Sequence, residues 1–174
     1  MTTFDFNDGK GPVPAHKHPN GGGWVADTAH VDETAYVGPN ARVSGCAQVR
    51  DHALVSGHAL VRDRAWVIGH AWVIGHAEIS GDALVSGTAI INNTSRVSND
   101  AQVYGVKRSD GYTFCYVPDK YGIMRVIAGC RYLKMEEARD HWSKTRGDTL
   151  LGDETMVILD CLETLSKVKP EGCV

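Results

Sequence analysis

The chain has 174 residues, of which 43% are hydrophobic and 22% charged, with 19 glycines and three phenylalanines. That mix argues against a disordered chain and against a core of large aromatic rings. The net charge of −3, from 18 basic and 21 acidic residues, offers no cationic surface for duplex nucleic acid or acidic membranes. No run approaches the roughly 18 apolar residues of a membrane-spanning helix, and residues 1–23 lack the charged-then-apolar order of a signal peptide. Cys46, Cys115, Cys130, Cys161 and Cys173 are scattered without CxxC spacing, which reads as free thiols in a reducing compartment and not as a thiolate metal site. The expectation is a soluble, cytoplasmic protein with no membrane contact.

Residues 1–22 are polar and rich in Pro and Gly. His16 and His18 are close enough in sequence to suggest a metal, but the segment reads as a solvated, partly ordered cap. From residue 23 to 106 the chain is an unbroken run of six-residue units, among them ARVSGC, AQVRDH, ALVSGH and AWVIGH. There are fourteen units, with Ala first in twelve, Val or Ile third in all, and Gly, Asp or Asn fifth in nearly all. A helix of 3.6 residues per turn scatters such positions around its surface, whereas a period-2 strand puts the first and third on one face. Each unit is therefore a short strand with its small and β-branched residues turned inward, closed by a turn at the fifth position.

The pattern resembles the hexapeptide-repeat family. The resemblance implies a left-handed parallel β-helix with three hexads per triangular coil, here about 4.7 coils and on the order of 22 Å tall. The family's small-x-aliphatic spacing matches; its glycine directly after the aliphatic residue is here two places further on. Taken in threes, the hexads place Trp24, Arg42, Leu60, Glu78 and Arg96 on one face and His30, Gln48, Trp66, Leu84 and Gln102 on the next. The third face carries Tyr36, Leu54, Trp72 and Ile90, with Ile74 beside them and Ile68 near the adjoining corner. An apolar stripe on the outside of a solenoid is a contact surface. Its occupant is either another copy, a trimer being the expected assembly, or the chain's own C-terminal segment.

His52 stacks under His70 at one corner and His58 under His76 at another, about 5 Å apart. Three readings are open. The resemblance to hexapeptide acyltransferases implies a histidine general base at a subunit boundary. The resemblance to carbonic-anhydrase-like members implies zinc held between subunits, which one subunit alone cannot complete because two corners are roughly 15 to 20 Å apart. The structural reading has histidine capping exposed corner carbonyls. The coils have none of the extruded loops usual in the acyltransferases, and no phosphate loop or carboxylate pair is present. No catalytic residue, metal or cofactor is assigned.

Residues 107–111 read as a hydrophilic hinge, 112–117 and 123–128 as two strands around a turn at 118–122, and 135–144 as a helix with Ala138 and Trp142 on one side. A second helix is expected over 153–168, capped by Asp153, with Ile158, Leu162 and Leu165 on one stripe. The fold class is thus mainly β: residues 1–22 a cap, 23–106 the β-helix, and 107–174 a small ββαα module. Gly129, Cys130, Arg131, Tyr132, Glu137, Ala138, His141 and Trp142 form a GCR, aromatic, EA, HW string that resembles a C-terminal module of phage and prophage proteins, though Lys134 stands where a Ser or Thr cap is expected. The segment HPNGGGWVADTA resembles the entry of bacterial and phage hexapeptide proteins. Trp142 and Cys130 read as packing residues, and Arg131, Tyr132 and His141 as partner-binding ones. These resemblances imply a non-enzymatic, oligomeric phage or prophage accessory protein that binds a partner, an inhibitor of a host defence complex being the expected role. The alternatives are an acyltransferase using His58, His76 or His70, and a structural self-assembling protein.

Overall fold

The computed structural model describes residues 2–99 and 101–167. A hairpin comes first, β1 (Thr3–Phe4) and β2 (Val13–Lys17). Fourteen short strands follow, one for each hexad: β3 (Trp24–Ala26), β4 (His30–Val31), β5 (Tyr36–Val37), β6 (Arg42–Val43), β7 (Gln48–Val49), β8 (Leu54–Val55), β9 (Leu60–Val61), β10 (Trp66–Val67), β11 (Trp72–Val73), β12 (Glu78–Ile79), β13 (Leu84–Ser86), β14 (Ile90–Ile91), β15 (Arg96–Val97) and β16 (Gln102–Tyr104).

Every third strand pairs in parallel, giving the ladders β3-β6-β9-β12-β15, β4-β7-β10-β13-β16 and β5-β8-β11-β14. The result is a parallel β-solenoid of four full turns with two further strands. The register steps by one coil, so Tyr36 lies over Leu54, Leu54 over Trp72 and Trp72 over Ile90. Rung to rung, alternate N–H groups meet the carbonyls of the next coil, as from Leu54 to Ala71 at 2.9 Å and from Ser56 to Val73 at 2.9 Å. The inward Ala and Val residues from Ala35 to Val85 are wholly shielded from solvent. Identical small side chains stack at the spacing of the rungs, which is why a strict six-residue period with no large rings fills this core.

Both ends are closed. The hairpin extends the first sheet, β2 running antiparallel to β3. Phe4 stacks on Trp24 with ring centres 4.5 Å apart, and Phe6, Ala15 and Ala26 are buried beneath. The expected solvated cap is therefore an ordered part of the sheet, because its two phenylalanines supply a small core of their own. His18 is buried, with Nδ1 3.1 Å from the Asn20 carbonyl, while His16 is exposed and pairs with Asp27 at 2.8 Å. The two imidazoles thus have separate partners.

At the other end the chain forms β17 (Val106–Lys107), β18 (Thr113–Pro118), β19 (Met124–Ala128), β20 (Arg131–Leu133), α1 (Met135–Arg146) and α2 (Leu150–Leu165). The four strands make one antiparallel sheet, so the module is larger than ββαα. Alternation decides its role. Cys115, Val117 and Ile127 join the solenoid core, while Phe114, Val126 and Ala128 pack on Met135, Ala138, Trp142, Ile158, Leu159 and Leu162 of the helices. The sheet is a lid between the last coil and the helix pair, and the Cys115 thiol accepts the Ile90 N–H at 3.1 Å.

Three expectations change here. The hinge at 107–111 is anchored, because Arg108 is only 3% exposed and bonds Asp110 at 2.7 and 3.0 Å and Thr155 at 2.8 Å. The cap of α2 is Thr149, whose hydroxyl accepts the Gly152 N–H at 3.1 Å, so Asp153 falls inside the first turn. Leu165 is exposed, apart from the buried stripe of Ile158 and Leu162. The expected helix end at Val168 lies outside the described residues. In α1 the missing hydroxyl cap at Lys134 is offset from the other direction: Glu137 accepts the Lys134 N–H at 2.8 Å. Among the described residues no helix is long and apolar enough to cross a membrane.

Candidate recognition surfaces

On the third face Tyr36, Leu54, Ile74 and Ile90 are half-buried, whereas Trp72 in the centre is 46% exposed. The C-terminal module sits on the end of the solenoid and partly covers Ile90, but it leaves Trp72 open. Of the two possible occupants, the chain's own C-terminal module is thus not one for this tryptophan. Round the corner, Trp66 on the second face is also exposed, with the Arg50 guanidinium 5.5 Å from its ring centre.

Histidine stacks border the third face on both edges. His52 and His70 lie 5.3 Å apart between the second and third faces, and His58 and His76 lie 5.1 Å apart between the third and first. All four rings are exposed, and the corner carbonyls expected to need them are already taken by backbone. Gly69 O accepts from His52 N at 3.0 Å and Gly75 O from His58 N at 2.7 Å. The imidazoles stack on each other instead of capping the corners. Among the described residues no group of three or more His, Cys, Asp or Glu is placed to hold a metal.

The C-terminal module contains a cleft of about 510 Å³. The loop between β17 and β18 supplies Arg108, Asp110 and Tyr112; the turn before β20 supplies Cys130 and Arg131; α1 supplies His141, Trp142, Thr145 and Arg146. That turn is possible because Gly129 adopts a φ of 56°, and a Cβ there would run into the Tyr112 hydroxyl. Trp142 is buried in the floor, and Tyr112 is pinned by its hydroxyl donating to the Ala128 carbonyl at 2.9 Å. The hydrogen bonds from Arg108 hold the Asp110 carboxyl down at about 2.

Of the expected partner-binding residues, Arg131 and His141 meet in this cleft and Tyr132 does not. Tyr132 packs on the solenoid core, its hydroxyl 3.3 Å from Ser95 Oγ. Neighbours in a strand point to opposite sides, which separates Tyr132 from Arg131. Cys130 is exposed at the cleft rim, contrary to the packing role expected of it, while Trp142 is a packing residue as expected. The sequence does not mark Arg146 or Arg108, since neither which part of a helix faces a cleft nor a loop closure can be read from an isolated arginine. A second cavity, about 280 Å³ between the N-terminal hairpin and the first face, holds Arg42 over the Phe4 ring and Arg62 beside Glu78. There Glu78 binds Arg62 at 2.7 Å and Arg96 at 3.2 Å.

Compared with protein families, curated proteins and solved structures, the chain shows no match.

Proposed function

We propose that the protein is a non-enzymatic binding protein that associates with further copies of itself through the third face, as a closed trimer, and presents its C-terminal module to a partner. The observation that carries this reading is Trp72, a large indole left 46% exposed in the middle of an apolar ladder. Burying such a ring between copies is worth about 2 kcal/mol per subunit from area alone, and a face turned toward a common axis closes the assembly without leaving an edge to polymerise. The likeness of both chain ends to phage and prophage proteins supports a role as an accessory protein acting on a host defence complex.

Sedimentation velocity tests the assembly. The wild-type chain is expected to run as a trimer and Trp72→Asp as a monomer with an unchanged circular-dichroism spectrum; a monomeric wild type overturns the reading. The trimer is then the bait for host lysate, where recovery of a stoichiometric protein complex is expected, and calorimetric heat on adding coenzyme A would favour the acyltransferase instead.

A further inference from the structure

We propose that the cleft of the C-terminal module binds the phosphate group of a small phosphorylated molecule. Arg108 and Asp110 cancel one another in a two-bond pair at 2.7 and 3.0 Å. That leaves Arg131 and Arg146, on different elements but lining one concavity, and among the described residues neither has a carboxylate within ion-pair distance. In the smaller cavity, by comparison, carboxylates stand in the lining itself, Glu78 binding Arg62 at 2.7 Å. Arg146 acts only through space on the Asp110 carboxylate that Arg108 already binds, so the two exposed guanidinium groups lining one space favour an added anion.

The chemistry selects among anions. A carboxylate carries one negative charge and leaves one arginine unmatched, whereas a phosphate monoester approaches two and offers three acceptor oxygens to planar guanidinium forks. His141 lines the same cleft from α1, adding a ring N–H that can donate to those oxygens, while the Thr145 hydroxyl is already spent on the His141 carbonyl at 2.7 Å. The floor is fixed, since Trp142 and Arg108 beneath it are nearly inaccessible to solvent and Tyr112 is tied to Ala128, so the ordering cost of binding falls on the two exposed arginine side chains. The cleft, about 510 Å³ and open to solvent, gives a small molecule room beside the phosphate group. The acidic solenoid next to it disfavours a long polyanion, whose flanking phosphates would meet like charge. The cleft lies outside the third face, so this inference stands apart from the oligomer.

Isothermal titration of the full chain with inorganic phosphate, adenosine 5′-monophosphate, adenosine and a DNA duplex tests it, with NMR of the His141 ring as a local readout. Expected are binding of phosphate in the millimolar range, tighter binding of the monophosphate, none of adenosine, and a shift of the His141 signals. Arg131→Ala and Arg146→Ala should each weaken the monophosphate by about tenfold, with thermal melts unchanged because both side chains are exposed. Arg96→Ala and Trp72→Asp should bind as the wild type does. No binding of phosphate or monophosphate, equal binding of adenosine, duplex binding without monophosphate binding, or full affinity in the Arg131→Ala/Arg146→Ala double variant would each overturn the proposal.

Discussion

At the solenoid corners one backbone angle recurs ten times: Gly45, Asp51, Gly57, Asp63, Gly69, Gly75, Gly81, Gly87, Asn93 and Asn99 all have φ between 57° and 75°. These are successive fifth positions of the hexads, where the sequence calls for a turn, and Asp and Asn are the side chains that tolerate this region best. Glycine is required for a further reason at some of them. A Cβ on Gly57 would lie 2.8 Å from the Gly75 carbonyl oxygen one coil on, whereas a Cβ on Gly87 would have nothing within 4 Å. Gly87→Ala is expected to cost about 1 kcal/mol, the left-handed penalty alone, and Gly57→Ala about 2 kcal/mol more from displaced backbone. Urea unfolding measures both, and equal losses would show that coil-to-coil crowding plays no part. The turn was legible from residue type; which turns are crowded was not, because that depends on the corner residue of the adjacent coil.

Among the elements, the helices and the two longer strands of the module announce themselves by period and flanking turns. The strands β17 and β20, two and three residues long, do not, since so short a run has no period to read. β20 pairs with β19 across the turn at Gly129, while the loop after β17 is held by Arg108, which ties it to Thr155 of α2. Arg108→Met should lower stability by about 2 kcal/mol at neutral pH through loss of hydrogen bonds from a buried charged donor. The pH dependence has a definite sign. Asp110 titrates at about 2 in the fold, below the roughly 3.9 of an unfolded chain. Its contribution is therefore complete above about pH 4 and is lost as the pH falls through about 2. Denaturant melts of wild type and Arg108→Met from pH 7 to 2 should show a constant gap that narrows below pH 4; a gap that widens on acidification would contradict the pairing.

For the whole molecule, the module is the lid of the solenoid, and Cys115 reports on it. The thiol lies in the interface between β18 and the last coil, where burial pushes it up to about 11, while Cys46, Cys130 and Cys161 are exposed. Alkylation with peptide mapping should label those three in the native state and Cys115 only when the lid lifts. Labelling of Cys115 as fast as Cys46 would mean that the module does not stay seated. At this scale Tyr36, Leu54, Trp72 and Ile90 remain in one ladder, and the module reaches only its Ile90 end, leaving Trp72 open.

The repeat alone determined the solenoid: a six-residue period is a local signal, restated fourteen times, and each restatement fixes the same inward pair and the same corner. It also placed the apolar ladder and both histidine stacks, because stacking is arithmetic in steps of one coil. What only the tertiary structure decided lies where no period operates. The docking of the hairpin through Phe4 and Phe6, the seating of the lid on Cys115, and the meeting of Arg131 with Arg146 depend on segments distant in sequence. Such contacts arise from which surfaces remain unburied after local structure has formed, and no spacing within a single segment records that choice.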